Sequence, residues 1–303
     1  MMSVLILACS SDKESQNSSG AIVEAPSSQI TVVDALGETL IFDKSPTSIA
    51  TVSPTATEIL YAAGGSAILR DRASSFPEEV LNLPDVGSAY DPSIEAVVAA
   101  QPDLVIIEAL TQARFASIFK QAGLTVMAVK AETVSDVTNH ITNVGKVIGE
   151  ENIATARVAE ITQRLEETGS SDNRTFLMLI SDHDRNLFAA RPESYSGLIA
   201  ATLGLQNKAE GLPDSGPYPG FSLMSTEAIL VANPDVIITI TAAPEPAPRL
   251  SETITQIPPF FALKAMQTRS IFEADVTLFL QAPGPRIVDA VESLAQGLKF
   301  ENR

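Results

Sequence analysis

Glu95-Ala96-Val97-Val98-Ala99-Ala100-Gln101-Pro102-Asp103-Leu104-Val105-Ile106-Ile107 recurs, without a gap, as Glu227-Ala228-Ile229-Leu230-Val231-Ala232-Asn233-Pro234-Asp235-Val236-Ile237-Ile238-Thr239. The offset is 132 residues throughout, and Glu, Ala, Ala, Pro, Asp and Ile coincide. Each copy reads as a short helix, a Pro-Asp stop and an apolar run suited to a buried parallel strand. The offset far exceeds the ~20–50 residues of a solenoid repeat. It predicts an α/β fold of two similar lobes with central parallel sheets, and a cleft between two lobes is where small ligands bind.

Working outward, Ile30–Val33 and Thr39–Phe42 flank a turn and read as a hairpin. Ser48–Val52 reads as a strand that leads through Ser53-Pro54-Thr55 into a helix over Ala56–Ala63. After the first repeat copy come a helix at Phe115–Ala122 and a strand at Leu124–Val129. Val134–Ile148 and Asn152–Glu167 are helical by apolar spacing, and the second is the expected link between the lobes. The second lobe opens with the apolar strand Thr175–Ile180, followed by loop Ser181–Asn186 and helix Tyr195–Leu203. Loop Gly216–Phe221 precedes the second repeat copy, and Ser270–Phe272 and Thr277–Leu280 are further strand candidates. The expected organisation is an N-terminal lobe at 29–148, a linker helix at 149–170 and a C-terminal lobe at 171–303.

The 303 residues are 45% hydrophobic, enough for two cored domains, and carry a net charge of −17. That acidity argues against nucleic acid, whose phosphates require Lys and Arg. The single cysteine, Cys9, excludes an internal disulfide. Its setting, Leu5-Ile6-Leu7-Ala8-Cys9, resembles a lipoprotein lipobox, with 1–9 as the remnant of a signal segment. Such a segment needs ~15–30 residues, so a start further upstream is expected. Residues 10–28 are polar and aperiodic, as in a flexible tether. Lipid on Cys9 would hold the protein at a membrane surface outside the cytoplasm.

No dinucleotide fingerprint, phosphate loop or nucleophile elbow is present, and two histidines make no metal cluster. No catalytic residue is assigned. An enzyme using Glu58 or Asp182 as acid or base is a rival reading, and a surface adhesion protein is another. The repeated glutamates are the sharpest feature. Glu95 and Glu227 each stand in the first turn of a capped helix, which the helix dipole alone would favour. The dipole explains less well why both lobes keep the acid in one register.

The order of motifs resembles the substrate-binding proteins of ATP-binding cassette (ABC) importers for iron-siderophores, haem and cobalamin. The resemblance rests on Ser53-Pro54-Thr55-Ala56-Thr57-Glu58-Ile59-Leu60, Val86-Gly87 through Pro92-Ser93-Ile94-Glu95, the two repeat copies, and Pro283-Gly284-Pro285-Arg286. It implies two lobes joined by one long helix, with ligand between them, and docking onto a permease dimer with its ATPase subunits. It also implies that Glu95 and Glu227, one per lobe, pair with permease arginines. Loops following strands supply the cleft candidates Tyr90, His183, Arg185, Arg191, Tyr218 and Phe221, with Ser53, Thr55, Phe76, Glu108 and Arg286 beside them. His140 is expected on a solvated helix face. A ferric siderophore ranks first as ligand, because Arg185 or Arg191 could hold an anion. Haem follows, with Tyr90, Tyr218 or His183 as axial ligand. A corrinoid ranks third.

Overall fold

The computed structural model describes residues 29–169, 171–244 and 246–300. Cys9 and the expected tether lie outside the described residues. The N-terminal half runs β1 (Ile30–Val33), β2 (Thr39–Phe42), β3 (Ile49–Thr51), α1 (Pro54–Ala62), β4 (Gly87–Ser88), β5 (Asp91–Pro92), α2 (Ile94–Ala99), β6 (Leu104–Glu108), α3 (Ala109–Gln121), β7 (Val126–Val129) and α4 (Val134–Ile148). Helix α5 (Glu151–Thr168) follows. The C-terminal half runs β8 (Thr175–Ser181), β9 (Leu187–Ala190), α6 (Tyr195–Thr202), β10 (Gln206–Asn207), β11 (Phe221–Met224), α7 (Thr226–Ala232), β12 (Val236–Ile240), α8 (Leu250–Ile254), α9 (Lys264–Gln267), β13 (Ile271–Ala274) and α10 (Ile287–Phe300).

The two repeat copies lie in separate sheets and occupy the same place in each. β6 is central in the parallel order β3-β6-β7, and β12 lies between its parallel neighbours β8 and β13. Both central strands are buried on both faces, which is why neither alternates in polarity. Leu104 and Ile106 join the core under α1, α4 and α5, while Val105 and Ile107 join that under α2 and α3. In the second lobe Ile238 and Ile240 face α6 and α10, and Ile237 faces the opposite layer.

The shared Pro-Asp has one structural task in both lobes. The Asp103 carboxylate accepts from the Thr47 amide and hydroxyl and the Ser48 amide, each at 2.9 Å. The Asp235 carboxylate accepts from the Thr175 amide at 2.8 Å and hydroxyl at 2.7 Å. Each aspartate thus fastens the start of the neighbouring parallel strand. Gln101 and Asn233, also equivalent, turn the chain out of the preceding helix at φ 48° and 37°.

These bonds hold both carboxyls down to about 2, Asp103 chiefly through the Thr47 amide and Asp235 through Lys264 and then the Thr175 amide. An unfolded aspartate titrates near ~3.9. Their stabilisation is therefore complete above about pH 5 and is lost as the pH falls through about 4 toward 2. In thermal unfolding across that window, Asp103→Asn and Asp235→Asn should each lose stability less steeply than wild type. Slopes equal to wild type would refute the assignment.

The lobes differ at one edge. β9 extends the second sheet antiparallel to β8, and β11 pairs antiparallel with β9 beyond it, an edge the sequence does not predict. Phe221, expected in a cleft loop, is the first residue of β11 and is 1% exposed in the core. Thr277–Leu280, expected as a strand, lies in a π-helical turn over Thr277–Gln281. The Asp275 carboxylate accepts from Leu278 N and its carbonyl from Phe279 N, winding the chain as soon as β13 ends. His140, expected on a solvated face, is 6% exposed on the buried side of α4 beside Val137, Ile141 and Val144. Burial lowers its pKa and so favours the neutral ring.

Candidate functional site

In open α/β sheets ligands gather beyond the carboxyl ends of the strands. Here those ends are Ser53 after β3, the Glu108–α3 junction, the 181–186 loop after β8 and Thr241 after β12. The sequence candidates at these ends divide by what already holds them.

Tyr90 stands at the tip of the β4–β5 turn and is 62% exposed. Phe76 is 43% exposed on an adjoining loop of the same lobe, and Leu110 is exposed at the start of α3. In the second lobe the Asp182 carboxylate accepts from the Asn186 amide and side chain, both at 2.8 Å, closing a tight loop. His183 and Arg185 project exposed from that loop, Arg185 with φ 64°. Tyr218 packs edge-on against Phe188 and Phe221, and its hydroxyl donates to the Ser181 carbonyl at 3.0 Å. That bond joins the Tyr218 loop to the His183 loop. Burial, with the Asp182 charge, pushes the Tyr218 hydroxyl pKa up, which disfavours the phenolate a haem iron would take. Phe221 supports Tyr218 from the core and presents no surface to a ligand.

Other candidates are engaged within the protein. Arg191 pairs with Glu193 at 3.1 Å and Asp214 at 3.6 Å, and its amide bonds the Gly220 carbonyl. It therefore braces the loop that carries Tyr218. Glu108 caps α3, its carboxylate accepting from Leu110 N, Thr111 N and the Thr111 hydroxyl at 2.8 Å. Ser53 caps α1 through Ala56 N, and Thr55 is buried beside it. Among the described residues, no three His, Cys, Asp or Glu converge as a metal site.

Arg286 crosses from the second lobe to the first. Its Nε donates to both Glu58 carboxylate oxygens at 3.0 Å, and its Nη2 also bonds Glu58. The guanidinium lies 4.4 Å from the centroid of the Phe76 ring. Glu58 is 4% exposed. Burial pushes its carboxyl up, and the hydrogen bonds and charge of Arg286 pull against that. Glu58, one of the two acids of the rival enzyme reading, is therefore engaged as a structural partner. Alongside, Arg164 of α5 bonds Asp289 at 2.7 Å and Glu292 of α10, and Val288 of α10 enters the first lobe's core.

Glu95 and Glu227 are exposed, each in the first turn of a helix capped by serine. The Glu227 amide and the Ser225 hydroxyl hold the Glu227 carboxyl below its usual range. Neither glutamate forms an ion pair among the described residues. Gln112 and Arg114 also reach the Tyr90 loop with their side chains; a lone Gln and Arg within a helix carry no sequence signal of it.

Residues 49–277 match the periplasmic binding protein family. Over 98% of its length the chain is 24% identical to the ABC transporter substrate-binding lipoprotein YvrC of Bacillus subtilis, of which it covers 94%. It is also 24% identical, over 88% of its length, to a cobalamin-binding protein of Halobacterium salinarum, covering 73% of that protein. In three dimensions it resembles the petrobactin-binding protein YclQ of Bacillus subtilis, with a TM-score of 0.77 at 19% identity, over 89% of this chain and 99% of YclQ. Because the family match spans residues 49–277, more than half of its length, this chain belongs to the periplasmic binding protein family.

Proposed function

We propose that this substrate-binding protein captures an uncharged, ring-shaped metal chelate of the corrinoid kind between its lobes and delivers it to an ABC permease dimer. The ligand class rests on the arginines. An anionic ferric siderophore needs cations at the cleft. Of the two arginines the sequence offered, Arg191 is neutralised by Glu193 and Asp214, and Arg185 is exposed at the turn of the 181–186 loop with Asp182 and Asp184 as near neighbours in the chain. Arg72 pairs with Asp85, Arg286 with Glu58, and Arg114 is turned onto the Tyr90 carbonyl. The exposed groups at the first lobe's strand ends are instead Phe76, Tyr90 and Leu110, carbon surfaces on which a flat ring can lie. The net charge of −17 acts in the same direction. The cobalamin-binding relative in Halobacterium salinarum supports the corrinoid reading, which we place ahead of ferric siderophore and haem.

The absorption spectrum and mass of the molecule that co-purifies, with titration of cyanocobalamin, test the ligand class. A corrin spectrum with cobalt is the expected result. A Soret band or a ferric charge-transfer band, with no cyanocobalamin binding, would sink it. Location outside the cytoplasm follows the family, and the tether is proposed to end in lipid on Cys9. Mass spectrometry of the same native preparation should find that cysteine acylated; an unmodified Cys9 within an intact N-terminus refutes the anchor.

A further inference from the structure

We propose that Gln112 and Arg114 are positioning residues of the ligand site, which hold the Tyr90 loop against the ends of β3 and β6 without touching ligand. The inference rests on the reading that Tyr90 lines the cleft.

The loop has little to hold it by itself. β4 and β5 pair over two residues each, and the Tyr90 amide reaches only the Ser88 hydroxyl at 3.2 Å. The Tyr90 side chain is exposed and adds no core packing. What fixes the turn comes from α3. Glu108 caps that helix directly where β6 ends, and this sets Gln112 one turn further on. Gln112 is fully buried. Its side-chain nitrogen donates to the Val52 carbonyl at 2.6 Å and to the Ala89 carbonyl at 2.7 Å. Its oxygen accepts from the Glu108 amide at 2.9 Å. One side chain thereby joins the end of β3, the end of β6 and the Tyr90 turn, with both of its donors satisfied. Arg114 takes the next carbonyl, that of Tyr90, while its guanidinium lies 4.7 Å from the centre of the Phe115 ring. Two successive carbonyls of the loop are thus held by one helix. A loop fixed before ligand arrives does not lose its freedom on binding, and affinity rises accordingly.

The test uses the full chain, cyanocobalamin as probe, and amide hydrogen exchange read at residues 87–91. Arg114→Met alters an exposed side chain and leaves the core intact; Gln112→Met removes the central tie. Arg114→Met should weaken cyanocobalamin about tenfold, and Gln112→Met more. Both should speed exchange at 87–91 while exchange in β6 and β12 stays as in wild type. Arg114→Lys, which keeps a donor, should recover part of the loss. In a Tyr90→Ala background, Arg114→Met should have no further effect. Unchanged exchange at 87–91, or unchanged affinity in both single variants, overturns the proposal. A full additional loss in the Tyr90→Ala background also overturns it, because Arg114 would then act on the ligand directly. If wild type fails to bind cyanocobalamin, the ligand assignment falls by itself. The exchange measurement, which needs no ligand, still supports or overturns the tie.

Discussion

Uptake should be lost when Glu95 and Glu227 are both replaced by lysine, with ligand binding by the isolated protein unchanged. Each glutamate stands in the first turn of the short helix that precedes the central strand of its lobe, one in β6's lobe and one in β12's. Each is exposed and unpaired by any described cation, so its carboxylate is available to a partner. Two separated carboxylates can orient a two-lobed protein on a two-fold permease through charge-assisted hydrogen bonds to arginine. Placing like charges together across such an interface costs several kcal/mol, so each reversal should weaken docking by roughly 100-fold or more. The effect inside the fold should be slight, since neither side chain bridges to another element. Normal transport by the double variant, measured alongside unchanged cyanocobalamin binding, would leave the helix dipole as the better explanation of the repeated acids.

The repeat was legible because its parts answer to local physics. Pro102 and Pro234 stop a helix, the following aspartates accept from the start of the neighbouring strand, and strands buried on both faces are near-continuously apolar. The hairpin β1–β2 and the helices α4 and α5 were legible for the same reason. β9 and β11 were not. Each has four residues, and β11 emerges directly from a Gly- and Pro-rich loop, so neither offers the alternation by which a strand is read. The signal for His140 was present, in its spacing from Val137, Ile141 and Val144, and residue type outweighed it. At the site, sequence gives position in a loop but not the partner. Tyr90, His183 and Arg185 were legible as exposed loop residues. Nothing in the chain near Arg191 or Arg286 announces Asp214 or Glu58, and only folding brings these together.

Arg286→Ala should be the most destabilising single change outside the hydrophobic cores, by about 3–5 kcal/mol, because it leaves the Glu58 carboxylate buried and without its cation. The loss falls on the junction of the lobes, since Glu58 belongs to α1 and Arg286 leads into α10. The pair itself need not be a source of net stability. Two buried charges lose their hydration, and a well-packed apolar pair often replaces them without penalty. Glu58→Leu with Arg286→Met should therefore recover most of what Arg286→Ala loses. The sign of the pH effect is fixed by the direction of the Glu58 shift. Burial already raises that carboxyl above its ordinary 4.5, and removing Arg286 lets it rise further. A raised acid contributes stability below its unfolded pKa and loses it as the pH climbs toward the folded value. The variant should thus lie nearest wild type at about pH 5 and furthest from it at about pH 8, the reverse of the trend set by Asp103 and Asp235. Chemical unfolding at those two pH values measures it. A deficit that is equal at both, or larger in acid, would show that Glu58 is not held ionised by Arg286 in the folded protein.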